Sequence, residues 1–214
     1  MTTNPFIVGI GGTTGAGSTT ECALTVALDA ACREGARVRL FGGADLAALP
    51  HYATDAAASS DIAKEMVAAM RAADGLIVAS PGYHGSISGL VKNAIDYLEE
   101  TAKDRRVYLD GLPVGLIVTA YGWQATGSTL GTLRSIVHAL RGWPTPFGAG
   151  INTLETRFDA VDTCSDAKVV DQLATVGQQA AQFALAFNAH RTPTAAPIGN
   201  AVNEAQPTRL LHAV

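Results

Sequence analysis

Five short apolar runs, each followed by a stretch with helical periodicity, constrain this chain more than any other feature. The runs are Phe6-Ile7-Val8-Gly9-Ile10, Val38-Arg39-Leu40-Phe41, Gly75-Leu76-Ile77-Val78-Ala79, residues 112–119 and residues 146–153. They are continuous apolar segments, not alternating ones. A strand that is apolar on both faces must be covered on both faces, which calls for a parallel sheet between two layers of helices. The intervening stretches supply those layers. Residues 21–34 carry Ala23, Leu24, Ala27, Leu28 and Ala31 on one face, and residues 88–100 carry Leu90, Val91, Ala94, Ile95 and Leu98 at helical spacing. Further helices are expected at 61–73, capped by Ser60 or Asp61, at 128–140 and at 168–187. Residues 45–52 read as a connection and residues 80–86 as a turn. Pro113 falls at the beginning of its strand, where proline is tolerated. Right-handed crossovers leave few strand orders for such a pattern.

Composition agrees with one well-buried globule: of 214 residues, 48% are hydrophobic and only 16% charged. From Arg191 onward the chain turns Ala/Pro/Asn-rich and loses periodicity. We therefore expect one domain over 1–190, then a tail over 191–214 or an arm against a partner subunit. A net charge of -4 gives no reason to expect a nucleic acid or an anionic membrane as partner. No run of about 18 apolar residues suggests a membrane span, and no signal-peptide pattern opens the chain. The three cysteines, Cys22, Cys32 and Cys164, form no CxxC pair, so a reducing cytoplasm fits better than a disulfide framework. His51, His84, His138, His190 and His212 show no metal-ligand spacing with cysteines or carboxylates, and no Gly-x-Ser-x-Gly elbow occurs.

In doubly wound sheets a ligand sits beyond the carboxyl ends of the strands. Three segments reach that edge here. The first, Gly11 through Thr20, combines glycines that let backbone N–H groups approach an anion with hydroxyls at Thr13, Thr14, Ser18, Thr19 and Thr20. It runs into a helix N-terminus, which favours a phosphate. It lacks the lysine of an ATP-type P-loop, and Gly9-Ile10-Gly11-Gly12 gives no clean GxGxxG. The competing reading is a plain glycine turn before a capped helix. Asp45, after Gly42-Gly43, is a weak candidate for a ribose-binding acid. The second segment is Ser80-Pro81-Gly82-Tyr83-His84-Gly85-Ser86-Ile87-Ser88-Gly89, and the third includes Tyr121-Gly122-Trp123. A flat heteroaromatic ring with polar edges wants aromatic walls and fixed N–H donors, and both segments offer them. The competing readings are a surface tyrosine at Tyr83, a solvent-facing His84, and interface burial of Tyr121 and Trp123. Trp143 reads as core or interface.

The run from Pro81 to Leu98 resembles the NADPH-dependent FMN reductase family. It keeps that family's Pro81, Tyr83, Ser86, Lys92, Asn93, Asp96, Tyr97 and Leu98 in register, with Gly82 in place of a glutamate, His84 in place of an asparagine and Gly89 in place of a second proline. The first loop resembles the family's Gly-Ser-x-Arg-x-x-Ser through Gly12, Thr13 and Ser18, with Gly15 in the arginine's place. The resemblance implies a flavodoxin-like α/β fold with a five-stranded parallel sheet in the order 2-1-3-4-5. It implies that Thr13, Thr14, Ser18, Thr19 and Thr20 hold the phosphate of FMN. Ser80, Pro81, Gly82, Tyr83, His84, Gly85 and Ser86 would line the ring, together with Tyr121, Gly122 and Trp123. Lys92 and Asp96, four apart on a helix, read instead as a surface pair and a packing anchor, and Asn93 as a loop clamp. The implied reaction is hydride transfer from NADPH or NADH to flavin. Its acceptor would be free flavin for a partner monooxygenase, or a quinone or azo compound. The implied assembly is a homodimer or homotetramer. A flavodoxin-like electron carrier, or a non-catalytic flavin-binding protein, is the alternative; Thr13-Thr14-Gly15 matches a carrier's phosphate loop only in part.

Overall fold

The computed structural model describes residues 4–160 and 163–190. In chain order the elements are β1 (Phe6–Gly11), α1 (Thr19–Arg33), β2 (Arg37–Phe41), α2 (Gly43–Ala48), α3 (Asp55–Ser59), α4 (Asp61–Ala72), β3 (Gly75–Tyr83) and β4 (Ser86–Ile87). Next come α5 (Gly89–Asp96), a 3-10 turn (Tyr97–Thr101), β5 (Pro113–Ala120), α6 (Trp123–Ala139), β6 (Trp143–Asn152), β7 (Phe158–Ala160), β8 (Thr163–Cys164) and α7 (Ala167–His190).

The central sheet runs β2-β1-β3-β5-β6 with every pairing parallel, and β4 adds antiparallel to the end of β3. With β5 and β6 as the fourth and fifth parallel strands, this is the expected 2-1-3-4-5 order. The continuous apolar runs resolve into two alternating faces. Val8, Ile10, Leu76, Val78, Val114, Leu116 and Val118 pack with Met66, Met70, Val91, Ile95, Leu133 and Val137 from α4, α5 and α6. Ile7, Ile77, Ile117 and Ile151 pack with Leu24 and Leu28 of α1 and with Leu173 and Val176 of α7. Each fully buried aliphatic side chain contributes about 1.5–3 kcal/mol relative to exposure. Both faces of the sheet therefore stabilise the fold. That double demand is why the strands read as unbroken apolar runs.

Several local expectations need correction. The stretch after β2 is not a bare connection: it forms α2, where Gly42 N–H donates to Asp45 at 3.3 Å, and then α3. Asp45 is thus a helix-capping acid that also faces Arg39 at 3.5 Å. Of the two expected caps of α4 it is Ser60 that serves, as the sequence allowed, accepting from Ala63 N–H at 3.3 Å. The turn assigned to residues 80–86 is a continuation of β3 that folds back at His84-Gly85 into β4. Both turn residues have positive φ, 51° and 85°, the combination a type I′ hairpin needs. The helix expected from residue 128 starts at Trp123, because Gly122, at φ 87°, turns the chain directly into it. Trp143 is not a core residue; it opens β6, is 62% exposed and lies 5.8 Å from the Phe187 ring. The β7–β8 hairpin had no sequence signal we recognised. The segment 191–214, expected as a tail or arm, lies outside the described residues. No helix among those residues is long and apolar enough to cross a membrane.

Candidate functional site

β1, β3 and β5 end side by side, with Gly11 opposite Ala79 and Pro81 opposite Thr119. This register brings the three candidate segments to one edge of the sheet. A cleft of about 160 Å³ lies there, lined by Gly12, Thr13 and Thr14 on one side and by Pro81, Tyr83, Ser88, Gly89 and Leu90 on the other. A larger cleft, about 460 Å³, lies between α4 and the 3-10 turn, lined by Tyr52, Val67, Arg71 and Tyr97 among others. None of the three strand-end segments reaches it, so size alone does not mark the chemistry.

The first loop is built around its glycines. Gly12, at φ 134°, turns the chain out of β1, and Thr13 Oγ1 accepts from Gly15 N–H at 3.2 Å to curl the loop. Ser18 caps α1, accepting from Glu21 N–H at 3.3 Å. A hydroxyl that accepts one bond keeps its proton to donate, so Ser18 remains able to bind an anion. Thr14 is exposed and Thr19 half-buried, and neither hydroxyl is bonded to another described residue. With the N-terminus of α1 behind them, these groups offer the donors that an anion would need.

Thr20 is the exception among the expected phosphate ligands. It is 2% exposed, and its hydroxyl lies 2.6 Å from that of Thr119, so it faces inward and joins α1 to β5. The pair is self-satisfying, with one hydroxyl donating to the other. We expect Thr20→Val to cost about 1–2 kcal/mol, because it leaves Thr119 buried without a partner; Thr20→Val with Thr119→Val should recover most of that loss. Denaturant unfolding of the two variants checks this. A double variant no more stable than the single one would show that the hydroxyls do not depend on each other.

Glu21 was not anticipated. Its carboxylate accepts from Gly43 N–H at 2.7 Å, and so ties the first turn of α1 to the start of α2. A Cβ on Gly43 would sit 1.8 Å from the Thr13 carbonyl oxygen, which measures how closely α2 supports the first loop. The same charge, after burial, pushes the Cys22 thiol up, so Cys22 is a packed thiol and not a thiolate nucleophile.

On the ring side, Pro81 is buried and Tyr83 is 50% exposed. His84, Gly85 and Ser86 are exposed at and after the hairpin turn. Gly82 is crowded: a Cβ there would lie 2.8 Å from Thr129 Oγ1 and 3.0 Å from Ala120 Cβ. Ser80 is fully buried; its hydroxyl donates to Pro81 O at 2.9 Å and accepts from Ser88 N–H at 3.1 Å. It therefore holds the hairpin from beneath and does not face the cleft. Ser88, a cleft residue of the second segment to which the sequence assigned no role, caps α5 by accepting from Val91 N–H at 3.2 Å. Asn93 clamps a loop as expected, donating to Pro50 O at 3.0 Å and accepting from Tyr52 N–H at 2.9 Å. Lys92 and Asp96 form a surface pair, and Arg134 donates to the carbonyls of Thr145 and Pro146 in β6.

Beyond β5, Tyr121 is 77% and Trp123 59% exposed. The turn that carries them is fixed by Asn152, a residue with no sequence signature. It is 3% exposed and accepts from Gly122 N–H at 2.8 Å. Among the described residues, no lysine or arginine lines the strand-end cleft, and no cluster of three or more His, Cys, Asp or Glu side chains suited to a metal occurs.

A parallel sheet in the order 2-1-3-4-5 with its cleft at the β1/β3 switch point defines a flavodoxin-like protein. The sequence profile of the NADPH-dependent FMN reductase family matches residues 5–152, and the chain belongs to that family. It is 34% identical over 125 residues to the FMN-dependent NADPH-azoreductase of Staphylococcus saprophyticus, a match covering 55% of this chain and 62% of that enzyme. It is 40% identical over 83 residues to the enzyme of the same name from Staphylococcus aureus, covering 39% of this chain and 40% of the relative. The chain thus spans less than two thirds of the curated relatives it matches. The flavoenzyme NAD(P)H:(acceptor) oxidoreductase FerB from Paracoccus denitrificans shares the fold, with a TM-score of 0.63 and 19% identity over 84% of this chain and 97% of that one.

Proposed function

We propose that this chain binds FMN at the strand-end cleft and oxidises a reduced nicotinamide nucleotide there. The observation that carries the reading is the convergence of an anion cradle and an aromatic hairpin on one cleft, with Thr13 and Thr14 facing Pro81 and Tyr83 across it. The chemistry of the donors fits the group. N–H groups and the Thr14, Ser18 and Thr19 hydroxyls suit a phosphate, and Tyr83 with the backbone of Pro81 through Gly85 suits a flat ring with polar edges. In this reading Ser80 supports the ring side from below and Thr20 braces the sheet; neither touches the ligand. FMN, when bound, supplies the hydride-accepting ring that this chain's side chains cannot provide. The protein's part is to hold the ring against the hairpin and to leave one side open for the nucleotide.

Gly15 stands in place of the family's arginine, and the described residues lining the cleft include no lysine or arginine to favour a 2′-phosphate. We therefore expect NADH and NADPH to be used with kcat/KM values within about tenfold of each other, a difference under about 1.4 kcal/mol. The acceptor is free flavin, passed to a partner monooxygenase, or a quinone or azo compound; the azoreductases among the relatives support the azo class. The reading takes the protein to act in a reducing cytoplasm as a homodimer or homotetramer. Its free cysteines, Cys22, Cys32 and Cys164, support the reducing compartment.

The test is nucleotide oxidation by the purified protein with and without added FMN. Oxidation that rises with FMN is the expected result. No oxidation of either nucleotide at saturating FMN would overturn the reductase reading and leave an electron carrier.

A further inference from the structure

Glu21, half-buried in the first turn of α1, carries a negative charge to the back of the first loop. Its Oε2 accepts from Gly43 N–H at 2.7 Å, and three glycine backbones close around it. A Cβ on Gly12 would lie 3.0 Å from Oε2, and one on Gly42 3.1 Å from both the carboxyl carbon and Oε2. Gly12 itself lines the strand-end cleft beside Thr13 and Thr14. The carboxylate is therefore packed against a glycine of the cleft wall. Neighbouring charges do not cancel it. The positive end of a helix amounts to about half an elementary charge, less than one carboxylate in its first turn. The start of α2 is occupied in the same way: Gly43 N–H donates to Glu21, and Gly42 N–H donates to Asp45 at 3.3 Å. Arg39 faces Asp45 at 3.5 Å, and it is shared with Glu65 at 2.9 Å. Gly15 stands where the family carries an arginine. The balance at the first loop is negative, although its hydrogen-bond donors suit an anion.

We propose that Glu21 is a specificity-determining residue whose charge offsets the first loop's attraction for phosphate, so that the site takes riboflavin as well as FMN. The proposal rests on the flavin reading above. The two flavins share ring and ribityl chain and differ by one phosphate, which carries about 1.5 to 2 negative charges at neutral pH. N–H groups and hydroxyls favour that phosphate; the carboxylate behind them opposes it. At an effective dielectric of about 20, repulsion between a carboxylate and a phosphate within a Debye length is comparable to one charge-assisted hydrogen bond. The opposition therefore removes a large part of what the donors supply, without touching the ring. Glutamine at this position separates the two roles of Glu21. It keeps an acceptor oxygen for Gly43 N–H, and so the support of the loop, while dropping the charge.

The experiment titrates flavin-free full-length protein with FMN and with riboflavin, read by the change in flavin fluorescence. It is run at ionic strengths of about 0.1 M and about 1 M, where charges are screened over about 10 Å and about 3 Å. At the lower ionic strength we expect the wild type to bind FMN less than about thirtyfold more tightly than riboflavin. This arm needs no variant. Glu21→Gln should tighten FMN about three- to tenfold and leave riboflavin within about twofold. At the higher ionic strength the gain should fall below about twofold. Asp29→Asn is the control. It removes the same charge from an exposed position about two turns further along α1, and should leave both flavins within about twofold. A wild-type preference above the stated limit, no gain in Glu21→Gln, an equal gain for riboflavin, a gain that persists at high salt, or the same gain in Asp29→Asn would each overturn the proposal alone. Failure of the wild type to bind either flavin would overturn the flavin reading and this proposal with it.

Discussion

Replacing Gly177 with alanine should lower stability by about 3 kcal/mol, one of the two largest effects we expect from a single substitution. Gly177 lies on α7 where it crosses α1, and a Cβ there would come within 1.9 Å of the Ala27 carbonyl oxygen and 3.0 Å of Ala30 Cβ. Ala27, Ala31, Ala180, Ala181 and Ala184 share this crossing, and all are essentially fully buried. A methyl group set against a backbone carbonyl has no rotamer to escape into, so the helices must separate by about an ångström or more. Overpacking of this kind costs about 1–3 kcal/mol and sometimes more. It also pulls α1 and α7 off Ile77, Ile117 and Ile151, opening space in that face of the core. Against a gross loss of about 4 kcal/mol from overpacking and opened space together, alanine gains about 1 kcal/mol of helix propensity. The net loss should appear as a fall in Tm of roughly 6–12 °C. Gly131→Ala is the control: Gly131 sits on α6, exposed, with open space where a Cβ would go. That substitution should stabilise by about 0.5–1 kcal/mol. A Gly177→Ala protein as stable as wild type would show that the α1–α7 crossing re-spaces without strain.

The second large effect concerns binding. Gly43→Ala should weaken FMN binding by about tenfold or more, roughly 1.4 kcal/mol. Its Cβ would meet the Thr13 carbonyl oxygen at 1.8 Å and the Thr13 carbonyl carbon at 2.8 Å. The clash falls on the loop that forms the proposed phosphate cradle, and the Glu21 to Gly43 hydrogen bond prevents α2 from simply backing away. Either the loop shifts or that bond lengthens. In both cases the N–H groups and the Thr14 hydroxyl move off their positions. Equilibrium titration of FMN, by flavin fluorescence, reads the effect. A Gly43→Ala protein that binds FMN as tightly as wild type would show that the cradle does not depend on this contact. In that event the phosphate would have to be sought elsewhere along the sheet edge.

Part of the site was legible before any coordinates. The glycine and hydroxyl content of the first loop and the run from Pro81 to Leu98 both pointed to the strand-end cleft, and Asn93 was read correctly as a clamp. What escaped were residues whose chemistry is ordinary until the fold supplies a partner. Glu21 looks like any acid in a first helical turn, where the helix dipole favours it. Its bond to Gly43 joins residues 22 positions apart. Asn152 looks like a polar strand end. Thr20 looked like one more phosphate hydroxyl, and only its contact with Thr119, 99 residues away, turns it inward. The hairpin at His84-Gly85 was missed for a different reason. Its turn residues were read as ligand-lining loop, and the two-residue return strand is too short to leave a periodicity.

The sequence by itself determined the layered α/β class, the strand order through its resemblance to a known family, and the edge of the sheet where a ligand belongs. It did so because burial of both sheet faces writes continuous apolar runs into the chain, and because glycines and caps mark the turns locally. Only the tertiary structure decided which hydroxyls face outward, which acid braces the first loop, and which turn Asn152 holds. Those outcomes depend on hydrogen bonds between segments far apart in sequence. Local composition carries no record of such bonds, since a buried hydroxyl or amide is identical in the chain to an exposed one until the fold provides its partner.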